Sequence, residues 1–404
     1  NPTPEPARRS ATVRAWSAWA ESLTLPRIAT DQVRRSALLL RALVHGPSGS
    51  IAAAATTSLP EHLGGCRNWD YRACWPRDAA MAAASLVRLG NTGVAMRLLD
   101  WLVRVVDRCE SPDRLRPIYA IDGGLLAPEA ELGHLAGYGG SKPVRISNAA
   151  AQQVQLDVFG PIVDLIAMLA ERGAPISPDH WRMTRAIVDA VASRWKEPDH
   201  GIWEIRGQRT HNIHTKAMCF ATVDRGLTVH EAFLGRDNSR WIDLREQIRL
   251  DILANGYSAE LGGFGSAYDR HEPDAAALCV GLLGVTSHTD PRHLGTIELV
   301  LRTLTTDGLV RRYTFDDGLP GPEGAFHLCT SWLIESLVRA GRTSEALPLF
   351  ERLLRCVGPT GLISEQHDPE LDESLGNTPQ AYSHLALINS ACAIDHATFR
   401  GEPT

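Results

Sequence analysis

The 404-residue chain has a formal net charge of −6, with 44% hydrophobic and 22% charged residues, a globular composition with room for one large core or two smaller ones. This balance offers no basic face to nucleic acid or anionic lipid, and no apolar run approaches the roughly 20 residues that cross a bilayer. The eight cysteines are scattered, with no CxxC pair, which argues against a metal cluster or disulfide framework and for a reducing, cytoplasmic setting.

In chain order, "NPTPEP" (1–6) reads as an extended linker, and "ATVRAWSAWAESL" (11–23) as a leading helix. Residues 1–30 are therefore expected to form a connection, and 31–404 the main domain. Twelve helices are predicted near 30–45, 78–90, 92–109, 147–170, 178–196, 214–233, 238–255, 273–283, 291–306, 323–341, 343–357 and 378–396. Apolar residues recur at three- and four-residue steps in "VAMRLLDWLVRVV" (94–106) and "VQLDVFGPIVDLIAMLA" (154–170). Asn148 is placed as an N-cap, and Gly90 and Gly341 as helix stops. Alternating strand patterns are few and short, so the chain reads as all-α.

The connections repeat. A glycine followed by apolar residues occurs in "SGSI" (48–51), "GGLL" (123–126), "GIWE" (201–204), "GGFG" (262–265), "DGLV" (307–310) and "GLIS" (361–364). Each interval is long enough for a pair of helices, which predicts a closed ring of six α-hairpins with all six turns on one rim.

Residues distant in sequence would then converge on that rim. The stretch 56–80 is long and irregular, as functional loops are. Trp69 and Trp75 offer flat faces to a sugar ring, and Asp70 joins them as a binding candidate. Arg77 and Asp78 place donors and acceptors side by side, suited to neighbouring hydroxyls, although such a pair can also simply open a helix. Glu204 follows one turn and Glu365 another. Glycoside hydrolysis needs such a pair, one carboxylic acid for the leaving oxygen and one carboxylate for water or carbon. Beside Trp203, Glu204 would be desolvated and neutral, which makes it the acid, with Arg206 close by. Ser364, Gln366, His367 and Asp368 would keep Glu365 ionised as the base. "HNIH" (211–214) has a metal-ligand spacing but no third ligand, "GGFG" is too short for a dinucleotide fingerprint, and no GxSxG elbow occurs.

The blocks "RNWDYRACWPRDAA" (67–80), "KPVRISNAAAQQVQLDVFG" (142–160), "GIWEIRGQRTHNIHTKAMCFATVDRGL" (201–227) and "GLISEQHDPELDESLGNTPQAYSHLALINSA" (361–391) closely resemble those of glycoside hydrolase family 15, in the family's order. That family holds glucoamylases, glucodextranases and bacterial trehalases. The resemblance implies an (α/α)6 barrel and inverting cleavage of an α-glucoside with release of β-glucose. It puts the general acid on Glu204, the base on Glu365, the innermost sugar grip on Arg77 and Asp78, and subsite walls on Trp75 and Trp203. No cofactor or metal is implied. Bacterial members carry an upstream β-sandwich, of which only the linker-like start and a helix would correspond here. Ala73 and Pro76 stand where bulkier residues are expected, which would widen the pocket. The rival readings are a sugar isomerase, a non-catalytic carbohydrate-binding barrel, and a hydrolase specialised for a glycosylated natural product.

Overall fold

The computed structural model describes residues 5–399, in which thirteen α-helices dominate. After α1 (Glu5–Glu21), twelve form two concentric layers. The outer helices are α2 (Thr30–Ala42), α4 (Gly93–Arg108), α6 (Pro178–Arg194), α8 (Ser239–Asn255), α10 (Pro291–Thr303) and α12 (Thr343–Arg355). They alternate with the inner helices α3 (Pro76–Arg88), α5 (Phe159–Glu171), α7 (Ile213–Leu234), α9 (Cys279–Leu282), α11 (His327–Arg339) and α13 (Ala381–Phe399). Each inner helix packs against the next, and α13 returns to α3 to close the ring. This is the predicted (α/α)6 barrel.

The two layers differ in burial for a physical reason. An outer helix has one face on the barrel and one in water, so α4 buries Val94, Leu98, Leu99, Trp101, Leu102 and Val105 along a stripe. An inner helix is enclosed on all sides; α11 is buried from His327 through Val338 and shows no such stripe. No helix among the described residues is long and apolar enough to cross a membrane.

All six predicted turns join the end of an outer helix to the start of an inner one. Their leading glycines, Gly49, Gly123, Gly201, Gly262, Gly308 and Gly361, all have positive φ, between 68° and 91°. At Gly201 a side chain would also collide, its Cβ falling 2.8 Å from Asn212 Cγ. The repeat in the sequence is therefore a repeat in backbone conformation.

Three expectations need correction. The helix expected over 147–170 begins only at Phe159 and is preceded by 3-10 turns at Ala149–Gln152 and Leu156–Val158. Asn148 caps the first turn, accepting from Ala150 N at 2.9 Å, but Gln153 and Gln155 are extended. Similarly, 273–283 is a 3-10 turn (Ala275–Leu278) capped by Asp274 and followed by the single-turn α9. Of the expected linker 1–6, residues 1–4 lie outside those described, and Glu5 and Pro6 already belong to α1, since proline fits a first helical turn. The rim also carries short antiparallel strands, including a three-stranded sheet of Ala325–Phe326, Gln366–Asp368 and Glu373–Leu375.

Candidate active site

The rim opens into two adjoining cavities with empty volumes of about 420 and 490 Å³ including their mouths. Glu204 and Glu365 both line the inner one, together with Tyr71, Trp75, Arg77, Asp78, Trp203, Arg312 and Tyr382. Two carboxylates 161 positions apart in the chain thus share one hollow.

Glu204 is held by the broken segment ahead of α5. It adopts a left-handed φ of 58°, uncommon for a residue with a Cβ. Gln153 Nε2 donates to its carbonyl at 2.9 Å. Its Oε1 accepts from Trp75 Nε1 at 2.8 Å and Gln155 Nε2 at 3.1 Å, with Arg77 Nη2 at 3.5 Å. Had α5 begun at residue 147, neither glutamine could reach it. The helix is interrupted where these two amides meet Glu204.

Glu365 is 2% exposed. Its backbone N–H bonds Asn377 O at 3.0 Å, and its Oε1 accepts from the Tyr71 hydroxyl at 2.8 Å. Its Oε2 is buried without a hydrogen-bond partner among the described residues and packs against Gly376, where a Cβ would lie 2.6 Å away. Burial and the neighbouring Glu61 carboxylate push its pKa well above the usual range, while Arg312 and the Tyr71 hydrogen bond oppose them.

The environments expected from sequence are therefore reversed. Trp203 does not press on Glu204; its indole N–H donates to Asp274 at 3.0 Å, and the tryptophan at Glu204 is Trp75. Glu204 has a cation beside it and a 20% exposed side chain, whereas Glu365 is enclosed. Nor do the sequence neighbours of Glu365 solvate it. Ser364 donates to Gln366 O, Gln366 accepts from Gly324 N, His367 pairs with Asp372, and Asp368 accepts from Glu370 and Leu371 N–H groups. In a strand, successive side chains point to opposite faces, so adjacency in sequence does not give adjacency in space.

Most of the other candidates converge. Arg77 and Asp78, at the start of α3, are tied through Tyr382. Arg77 Nε donates to the Tyr382 hydroxyl, which donates to Asp78 Oδ1, each at 2.7 Å. Burial lifts Asp78 to about 6 although Arg77 and Tyr382 pull it down. Trp203 forms a wall, meeting Phe326 edge-on with Arg312 over its face. Trp69 and Arg206 line the outer cavity, the guanidinium 4.4 Å over the indole and paired to Glu129 at 2.7 Å.

Asp70 and Gln366 line neither cavity. Asp70 joins Arg72 to the Ser147 N–H, and Gln366 lies in the three-stranded sheet. Ala73 is packed among Trp75, Ile118 and Ala150, and Pro76 is the first residue of α3, so neither widens the pocket. His211 stacks on Tyr268 while His214 faces Asp157 and Trp332, so the HNIH pair serves two separate environments.

Tyr71, Tyr382 and Gln155 stand inside blocks singled out from sequence but were not named there. Glu61 lies in the irregular stretch 56–80 but was not named there, and Arg312 carries no such signal, because an isolated charge in a loop gives no hint of burial.

A sequence profile described as Glycosyl hydrolases family 15 matches residues 27–392. The chain belongs to that family. The trehalase of Mycobacterium tuberculosis (strain ATCC 25618 / H37Rv) is 38% identical over 90% of this chain and 54% of its own length. The trehalase of Thermoplasma acidophilum is 35% identical over 96% of this chain and 67% of its own. The chain thus spans between about half and two thirds of these curated relatives. In fold it is similar to a bacterial glucoamylase complexed with acarbose, with a TM-score of 0.73 at 17% identity over 98% of this chain and 59% of that one. The family 15 glucoamylase from Hypocrea jecorina gives 0.72 at 14% identity, over 93% and 72%.

Proposed function

We propose that this barrel is the catalytic unit of an inverting, exo-acting α-glucoside hydrolase that releases β-glucose from a non-reducing end. The observation that carries this reading is the shared cavity of Glu204 and Glu365 beside the Arg77–Asp78 pair. Arg77, Asp78 and Trp75 grip the terminal glucose. Glu204, as the protonated carboxylic acid, protonates the glycosidic oxygen through Oε2, since Oε1 is taken by Trp75 and Gln155. Glu365, aligned by Tyr71, removes a proton from the water attacking the anomeric carbon from the opposite face. Glu365 works only above its raised pKa and Glu204 only while it holds its proton, so a bell-shaped pH profile is expected.

Trehalose is the first substrate to test, because curated relatives at 35–38% identity are named trehalases; a glucan end is the second. The experiment is glucose release from trehalose, maltose, isomaltose and starch, with the first-formed anomer read by NMR. Inversion of trehalose frees the attacked ring as β-glucose and the leaving ring as α-glucose, so equal amounts of the two anomers are expected first; from the other substrates the non-reducing glucose should appear as β. α-Glucose alone from trehalose, or loss of less than tenfold in Glu204→Gln or Glu365→Gln, would refute the mechanism; each replacement should cost about 10²–10⁴-fold in kcat. We place the catalytic domain at 31–404 with α1 as a connecting element, and the protein in a reducing cytoplasm. The latter is supported by eight cysteines that are all free. The ligand is a small carbohydrate, and a net charge of −6 favours no nucleic-acid partner.

A further inference from the structure

Segment 314–323 contributes Asp317 and Leu319 to the wall of the outer cavity, and one side chain fastens it there. Arg67 Nη1 donates to Asp317 Oδ2 at 2.7 Å and Glu323 Oε1 at 2.5 Å, and Nη2 to Asp317 Oδ1 and Leu319 O, each at 2.8 Å. The guanidinium is 6% exposed, as is Asp317. Tyr313 adds a bond to Asp317 at 2.9 Å, and Arg312 ties the base of the segment to Glu323. Arg67, Asp317 and Leu319 all line the cavity. The opposite side is framed by Arg206 on Glu129, stacked on Trp69. A bidentate, desolvated pair of this kind holds a loop far better than a surface ion pair.

We infer that this clasp makes the outer cavity a compartment for a single sugar, so that the substrate is a disaccharide and not the end of a long glucan. The inference rests on the hydrolase reading above. On this inference the fastened segment, with Asp317 and Leu319 on the cavity wall, blocks a third sugar from continuing outward.

The test compares wild type, Arg67→Gln and the double variant Arg67→Met/Asp317→Leu. The double variant removes both members of the bidentate pair and leaves Glu323 its bond to Arg312, which disturbs buried charge less than the single change does. Each is assayed for kcat/KM on trehalose, maltose and maltotetraose, with hydrogen exchange followed across 314–323. In the wild type the preferred disaccharide should exceed maltotetraose by at least about tenfold, and the ratio should fall by about tenfold in folded variants whose 314–323 amides exchange faster. Equal wild-type rates on maltotetraose and the disaccharides overturn the inference, as does an unchanged ratio once the segment is loosened. Failure of the wild type to release glucose from any of them would sink the hydrolase reading itself.

Discussion

Tyr71 and Gly376 bracket the carboxylate of Glu365, and each makes a distinct prediction. The Tyr71 hydroxyl bonds Oε1 and favours the ionised form, against the burial that disfavours it. In Tyr71→Phe the carboxyl pKa rises further, and because Glu365 as the proposed base must be ionised, the acidic limb of kcat/KM moves to higher pH. A pH profile measures this, and an unmoved limb would mean the hydroxyl does not act on the base. Gly376 has φ 76°, and an added Cβ would lie 2.6 Å from Glu365 Oε2 and 2.8 Å from Glu365 Cβ. Gly376→Ala should therefore displace the base and lower kcat by about 10²-fold or more, with helix content by circular dichroism retained. Wild-type turnover in that variant would show that the turn yields without moving the carboxylate.

At the scale of elements, α3 and α13 share one grip. Tyr382 on α13 holds both Arg77 and Asp78 at the start of α3, so Tyr382→Phe frees two side chains that would hold a sugar. KM should rise by about tenfold, the worth of a hydrogen bond to a charged group, with a smaller change in kcat; the reverse pattern would place Tyr382 in the chemistry instead. The layered helices and their turns were legible from sequence because amphipathic stripes and six spaced glycines leave periodic traces. The pair Glu204 and Glu365 was legible from its position after two of those glycines and from the family blocks. Their surroundings were not. Trp203 and Ser364 are next in sequence yet turned away, while Trp75, Gln155 and Tyr71 arrive from other turns. The interruptions at 147–158 and 273–278 were unreadable for the same reason, since Gln155 and Asp274 serve partners across the barrel.

At the scale of the whole molecule, buried titratable groups pull stability in two directions. Burial lowers His214 and His293 to about 4 and His327 and His384 to about 3. Below the ordinary 6.5 the unfolded chain binds protons there that the folded chain does not, so these groups cost stability as pH falls. Glu61 is raised to about 7, and Asp78, Asp199 and Asp274 to about 6, mainly by burial. Here the folded chain binds the protons first, and stability grows as pH falls until the unfolded carboxylates also protonate near 4. The two trends oppose each other between about 6.5 and 4.5, and below that only the histidine loss continues. Urea midpoints should therefore stay nearly level from pH 7 to about 5 and drop steeply below about 4.5. A steady decline starting at pH 6.5 would show that the carboxylates contribute little.

Ring closure by α13 against α3 also sets when the molecule can first work. Tyr382, which holds the proposed sugar grip of Arg77 and Asp78, belongs to α13, and the segment bearing Glu365 is anchored there through the Ser383 hydroxyl on the Ser364 carbonyl at 2.6 Å. A nascent chain still threading α13 through the ribosomal tunnel would hold five of six hairpins and no competent centre. The paired side chains at the start of α3 and the segment bearing Glu365 are thus fixed together only once α13 has docked.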